Sequence, residues 1–223
     1  MAVFISMSGA RSPDPHALLM DRTYRHQRHV YDFTRKYYLF GRDRLIAQLA
    51  LPPGSSLVEV GCGTARNLIR VARAYPGTRL YGLDASAAML ASAQAAVDRA
   101  GLTGRIQLAQ GLAENLSPKQ FKVESFDHVL FSYSLSMIPG WRQALAAASR
   151  SLSSTGQIHV VDFGDLAGLG RAGRTLLRAW LTLFHVKPRV EFLSALEDVT
   201  GRSAARLYLL PGRYAFIFSC DRL

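Results

Sequence analysis

The segment Val58-Glu59-Val60-Gly61-Cys62-Gly63-Thr64-Ala65-Arg66-Asn67 holds the residue types and spacing best suited to chemistry in this chain. Gly61 and Gly63 carry no Cβ, so a turn there adopts positive φ and a ligand lies against bare backbone. A helical pattern starts just behind the turn, and the free N–H groups of its first turn suit an anionic group. A second acid, Asp84, closes the next apolar run, Leu80-Tyr81-Gly82-Leu83. It falls about 20 residues further on, where folds of this kind hold ribose hydroxyls. The pair predicts a nucleoside-containing cofactor. Two details narrow it. Arg66 stands where a pyrophosphate site wants a third glycine for close helix–strand packing. Glu59, just before the turn, would repel a pyrophosphate but suits the ammonium end of a cationic cofactor. These point to S-adenosylmethionine, while Asp84 fits ribose in either case.

The surrounding elements must hold these groups in place. Strand signals fall near 56–60, 79–83, 105–109, 127–132 and 157–163, and helical signals near 65–75, 86–100, 118–123, 140–152 and 166–184. Ser86 is placed to cap the second of these helices. Such alternation predicts an α/β fold with a mostly parallel sheet and helices on both faces. Ala205 to Leu210, Pro211-Gly212 and Tyr214 to Ser219 read as a closing hairpin, so the sheet ends antiparallel. Residues 1–50 form a tail and a helical segment from about Asp21, stopped by Pro52-Pro53-Gly54. Residues 51–223 form the cofactor domain.

With 223 residues and 49% hydrophobic content, the chain suits one large domain or a core with an added element. No apolar run reaches the ~18 residues that span a bilayer, and Met1 to Met7 lacks the basic leader of a signal peptide. Cys62 and Cys220 have no metal spacing and read as reduced thiols in a cytosolic protein. No ligand cluster for a metal is visible. The net charge of +11 attracts polyanions, namely nucleic acid, an anionic membrane or acidic metabolites.

Val58-Glu59-Val60-Gly61-Cys62-Gly63-Thr64 resembles the first motif of class I methyltransferases, E/D-x-G-x-G. Asp84 in Gly82-Leu83-Asp84-Ala85-Ser86 matches that family's ribose acid. Gln110-Gly111-Leu112-Ala113-Glu114-Asn115-Leu116 matches its adenine-side motif, with Leu112 where many members have aspartate. Phe126-Asp127-His128-Val129-Leu130-Phe131-Ser132-Tyr133-Ser134 matches the fourth motif. The resemblance covers roughly 55–165. It implies a Rossmann-like seven-stranded sheet with a reversed last strand, and S-adenosyl-L-methionine held by Glu59, Gly61, Gly63, Asp84, Ala85, Leu112, Ala113 and Phe131. Asp127 reads as a strand-start residue.

Tyr24, Arg28, Tyr31, Arg35, Tyr38 and Arg42 are spaced alternately four and three, so on one helix they form a single stripe. Arginine holds carboxylates, and tyrosine faces enclose an ammonium. The run Asp21 to Tyr38, continuing through Gly41-Arg42-Asp43-Arg44-Leu45-Ile46, resembles the start of the bacterial diacylglycerylhomoserine N-methyltransferases. Phe184-His185-Val186-Lys187-Pro188-Arg189 is similar to that family's segment after the fifth strand. The resemblance implies threefold methylation of the homoserine amine of a diacylglyceryl ether lipid, giving a betaine lipid. On this reading Tyr31 and Arg35 sit near the cofactor's methionine end, and Tyr24, Arg28, Tyr38 and Arg189 near the headgroup. Tyr133 and Tyr31 stand at the reacting centre. His185 is either a proton acceptor or a structural histidine.

The expected setting is cytoplasmic, peripheral to the inner face of the membrane, with the basic surplus toward the leaflet and with a membrane lipid substrate and an upstream lipid-homoserine transferase as the expected partners. The stretch Leu166 to Phe184, with Arg171, Arg174 and Arg178, is either an interfacial amphipathic element or an ordinary sheet-covering helix. Phe131-Ser132-Tyr133-Ser134 departs from the Asn/Asp-Pro-Pro-aromatic motif of base-amine enzymes, which counts against nucleic acid.

Overall fold

The computed structural model describes residues 39–182 and 205–222. Its elements, in chain order, are α1 (Arg42–Gln48), β1 (Ser56–Val60), α2 (Arg66–Ala74), β2 (Arg79–Asp84), α3 (Ala87–Arg99), β3 (Ile106–Gln110), β4 (Phe126–Ser132), α4 (Trp141–Ser151), β5 (Leu152–Phe163), α5 (Arg171–Thr182), β6 (Arg206–Leu209) and β7 (Ala215–Asp221). The strands form one sheet in the order β3-β2-β1-β4-β5-β7-β6. β1 to β5 are parallel, and β7 runs antiparallel to both β5 and β6. This is the Rossmann-like class I methyltransferase fold expected from the motifs.

β1 is buried along its whole length, as a central parallel strand covered on both faces must be. Leu57, Leu130, Val161 and Ile217 meet α1, α2 and α3 on one face. Val58, Val129, Val160 and Phe218 meet α4 on the other. Strand order reverses between β1 and β4, and the crevice at that switch point is where ligands bind in open α/β sheets.

Four boundaries differ from the sequence reading. β5 starts at Leu152 rather than near 157, because Leu152 pairs with Phe126 and the register then shifts before Gln157 pairs with His128. The helix expected over 118–123 is a short 3-10 turn, Pro118–Phe121, after another at Ala113–Asn115. α5 begins at Arg171 rather than 166, since the Asp165 carboxylate accepts from the Ala167 N–H at 2.9 Å and forms a turn first. Most consequential, Gly41 stands at φ 85° before α1. A left-handed residue breaks a helix at that point, so α1 starts afresh at Arg42, and the rest of the expected helix, residues 21–38, lies outside the described residues. Leu39, Leu45, Ile46 and Leu49 pack into the same core as Leu57 and Leu68.

Candidate functional site

The turn after β1 is held by the carbonyl of Leu83 on β2, which accepts from the amides of Gly61 (2.8 Å) and Cys62 (3.1 Å). Gly61 adopts φ 74°, and a Cβ there would fall 2.6 Å from the Cβ of Ser134. Glycine is therefore required twice, by conformation and by the loop after β4. Asp84, at the end of β2, accepts from the Gly63 amide at 2.8 Å and the Ser86 amide at 2.9 Å. Each carboxylate oxygen retains acceptor capacity for a ribose hydroxyl. Ser86 caps α3, its hydroxyl accepting from the Met89 amide.

Two cavities flank this turn and share Gly61 and Gly63. One, about 200 Å³, is largely apolar, with Leu83, Met89, Leu112, Ala113, Met137 and Ile138 along its wall and Asp84 and Glu114 at its edge. A flat base stacks in such a slot while Asp84 takes the sugar. The other, about 270 Å³, carries Arg42, Glu59, Arg66, Asn67 and Ser132. Glu59 is 1% exposed and accepts from the Asn67 amide at 2.7 Å. The Ser132 hydroxyl is buried with no hydrogen-bond partner, a polar atom left for a ligand to satisfy. One apolar half and one charged half, joined across bare glycine backbone, fit an adenosine linked to an amino-acid end. The cofactor is S-adenosyl-L-methionine.

Of the residues read from sequence, Glu59, Gly61, Gly63, Asp84, Ala85, Leu112, Ala113 and Tyr133 line these cavities. Phe131 does not. Its side chain is fully buried in the core on the α4 face, because the alternation along β4 turns it away from the turn that Ser132 faces. Tyr24, Arg28, Tyr31, Arg35, Tyr38, His185 and Arg189 lie outside the described residues. Arg42, the last residue of the stripe expected to cover the pocket, does line the charged cavity, whereas Asn67 and Ser132 escaped the sequence reading. Asn67 was legible as the polar residue of a helix's first turn on the side facing Glu59. The walls from Ser134 to Pro139 sit in a loop without periodicity.

Tyr133 departs from its expected part. It sits at φ 54°, 1% exposed, and its hydroxyl donates to the Phe40 carbonyl. Burial pushes its phenol well above the ordinary value, with Tyr214 and Asp162 adding and Arg42 opposing. It is a wall and a tether, and stays protonated at neutral pH. Its ring continues an aromatic chain, with Phe163 at 4.7 Å, then Tyr214 and Phe40 at 5.9 and 5.6 Å between successive centroids. Burial, then Asp84 and Glu59, push the Cys62 thiol up as well, so it is no nucleophile. Asp127 lies at the far end of the sheet, where its carboxylate accepts from the Ser56 amide and hydroxyl. Among the described residues no cluster fit for a metal ion occurs.

Residues 57–156 match the family model of the methyltransferase domain. The ubiquinone/menaquinone biosynthesis C-methyltransferase of Syntrophotalea carbinolica is 29% identical over 165 residues, 72% of this chain and 66% of that protein. The demethylmenaquinone methyltransferase of Bacillus cytotoxicus is 33% identical over 107 residues, 48% of this chain and 44% of that one. The chain thus spans about half to two thirds of the length of these relatives. Among solved structures, a Haemonchus contortus phosphoethanolamine N-methyltransferase bound to S-adenosyl-L-methionine superposes with TM-score 0.74 at 13% identity, covering 94% of this chain and 60% of that one.

Proposed function

We propose that this chain, a class I S-adenosylmethionine-dependent methyltransferase, methylates the homoserine amine of a diacylglyceryl lipid at the inner membrane face, up to the trimethylated betaine. The observation that carries the reading is the charged half of the site. Arg42 lines that half and supplies a guanidinium for a carboxylate, and Tyr133, the first ring of the aromatic chain that runs on to Phe40, lines the neighbouring apolar half. A homoserine headgroup offers that carboxylate, and its product offers a quaternary ammonium that aromatic faces accommodate. The resemblance of residues 21–46 supports the same substrate.

When bound, the cofactor supplies an electrophilic methyl group on its sulfonium. The chain's residues orient and exclude water. Glu59, Gly61, Gly63 and Asp84 would hold that cofactor, and a neutral homoserine amine brought in line with its methyl group would accept it and release its own proton to solvent. The protonated Tyr133 phenol takes no proton in this scheme.

The names of the curated relatives favour a second reading, C-methylation of a quinone ring. The purified protein with S-adenosylmethionine is expected to convert a homoserine lipid in detergent micelles through mono-, di- and trimethyl forms, followed by mass spectrometry. Mass gain only on a demethylated quinol would replace the first reading with the second. Gain only on phosphatidylethanolamine or tRNA would sink both.

A further inference from the structure

We infer that the groove between α2 and α3 is the face that docks on an anionic lipid bilayer. This deepens the proposed lipid reading and rests on it for its purpose. The groove measures about 820 Å³ and is lined by Arg66, Arg70 and Arg73 from α2 and Arg99 from α3, over a floor of alanines and Ile69. The three α2 arginines are spaced four and three and so share one helical face. No acidic residue lines the groove. Asp43 of α1 lies beside it and pairs with Arg66 and Arg70 at 3.3 and 3.2 Å. Arg73 and Arg99 are exposed and have no ion pair among the described residues.

Two observations choose the occupant. First, the groove is continuous with the charged half of the cofactor site, because Thr64 and Arg66 line both. A surface seated on the groove therefore lies at the lip of the reacting centre, where a substrate held by its acyl chains must present its headgroup. Second, the lining contains no aromatic ring. Single-stranded nucleic acid gains much of its affinity from bases stacked on such rings, whereas lipid phosphates need only guanidinium.

The test compares the full-length protein with Arg73→Glu/Arg99→Glu. Sedimentation is measured with phosphatidylcholine vesicles and with vesicles containing a quarter phosphatidylglycerol, and tRNA binding is measured by fluorescence anisotropy. Each basic residue near an anionic leaflet contributes roughly fivefold to partitioning, so the double reversal is expected to lower binding to anionic vesicles by at least ~25-fold. Affinity for S-adenosylhomocysteine is expected to stay within twofold, which also reports on folding. A reversal elsewhere, Arg171→Glu/Arg174→Glu on α5, is expected to cost clearly less. Equal loss in both variants would make the binding a matter of net charge and overturn the inference. So would tighter binding to tRNA than to anionic vesicles, or no vesicle binding at all. Micelle activity separates the two claims. Retained methylation of the homoserine lipid in micelles without vesicle binding sinks the docking face alone, and absent micelle activity sinks the substrate.

Discussion

The two ends of the sheet are built from the same strands by opposite means. At the end where β1, β2 and β4 finish, side chains are withheld. Gly61 and Gly63 take positive φ, and so do Ala65 and Tyr133, leaving backbone and two cavities. At the end where they begin, side chains tie strand to strand. Asp127 holds Ser56 of β1 and reaches Ser153 of β5 at 3.4 Å. His128 and His159 meet at 3.0 Å, and His159 meets Ser219 of β7 at 3.0 Å. One end forgoes cohesion to leave room for a ligand; the other supplies the cohesion. Changes at the first end should therefore cost binding, and changes at the second should cost stability.

The sharpest test is Gly61→Ala. The 2.6 Å approach to Ser134 together with the left-handed φ predicts a loss of cofactor affinity of a hundredfold or more, read by calorimetry with S-adenosylhomocysteine. A binding constant near wild type would mean that the turn is not the cradle. Asp84→Asn comes next. Removing a charged acceptor costs about 1.5–3 kcal/mol, so affinity should fall roughly ten- to hundredfold.

Acid titration should split the ends, because β5 carries both a buried histidine and a buried carboxylate. Burial, then His128 and Arg206, push His159 down to about 3. Unfolded histidine titrates near ~6.5, so the stability tied to its neutral form is complete above that pH and is lost as pH falls toward 3. Burial pushes Asp162 up to about 6, against the amide hydrogen bonds from Ser136 and Phe163. Its protonated form is the one favoured in the fold, so this group adds stability as pH falls from 6 toward 4, by about 3 kcal/mol. His159→Gln should therefore flatten the acid limb of the stability curve and Asp162→Asn should steepen it. Parallel curves for the two variants would remove the contrast. The smallest effects are expected at single ties. Asp127→Ala should cost about 1–3 kcal/mol of stability while cofactor affinity stays within twofold. Tyr133→Phe, losing only its bond to Phe40, should cost about 1 kcal/mol and move affinity a few-fold.

The binding end was largely legible in the sequence, because its requirements are local. Glu59, Gly61, Gly63 and Asp84 lie at strand ends that a short apolar run announces, and a turn needing positive φ accepts few residues but glycine. The stitched end was not legible. The contact between His128 and His159 depends on β4–β5 register, and that of His159 with Ser219 on the antiparallel β7. No spacing along the chain encodes either. The same reasoning explains Phe131 and Arg42. Motif position alone placed Phe131 at the cofactor, but the alternation of β4, read from its register with β5, turns it inward. Periodicity placed Arg42 on a stripe facing the cofactor pocket, and it does line the cavity wall, but from the start of α1 after a left-handed glycine that periodicity could not show.

The position of β7 between β5 and β6 also bears on how the molecule is made. β5 is a central strand whose outer edge has no partner until Ala215–Asp221 is synthesised. At ~5–20 residues per second of synthesis, that edge waits several seconds with its amides and carbonyls open. An open edge is a template for any other extended chain, so the nascent protein is most exposed to mispairing in that interval. Faster elongation through the α5 region should raise the soluble yield even though it changes no contact in the finished fold.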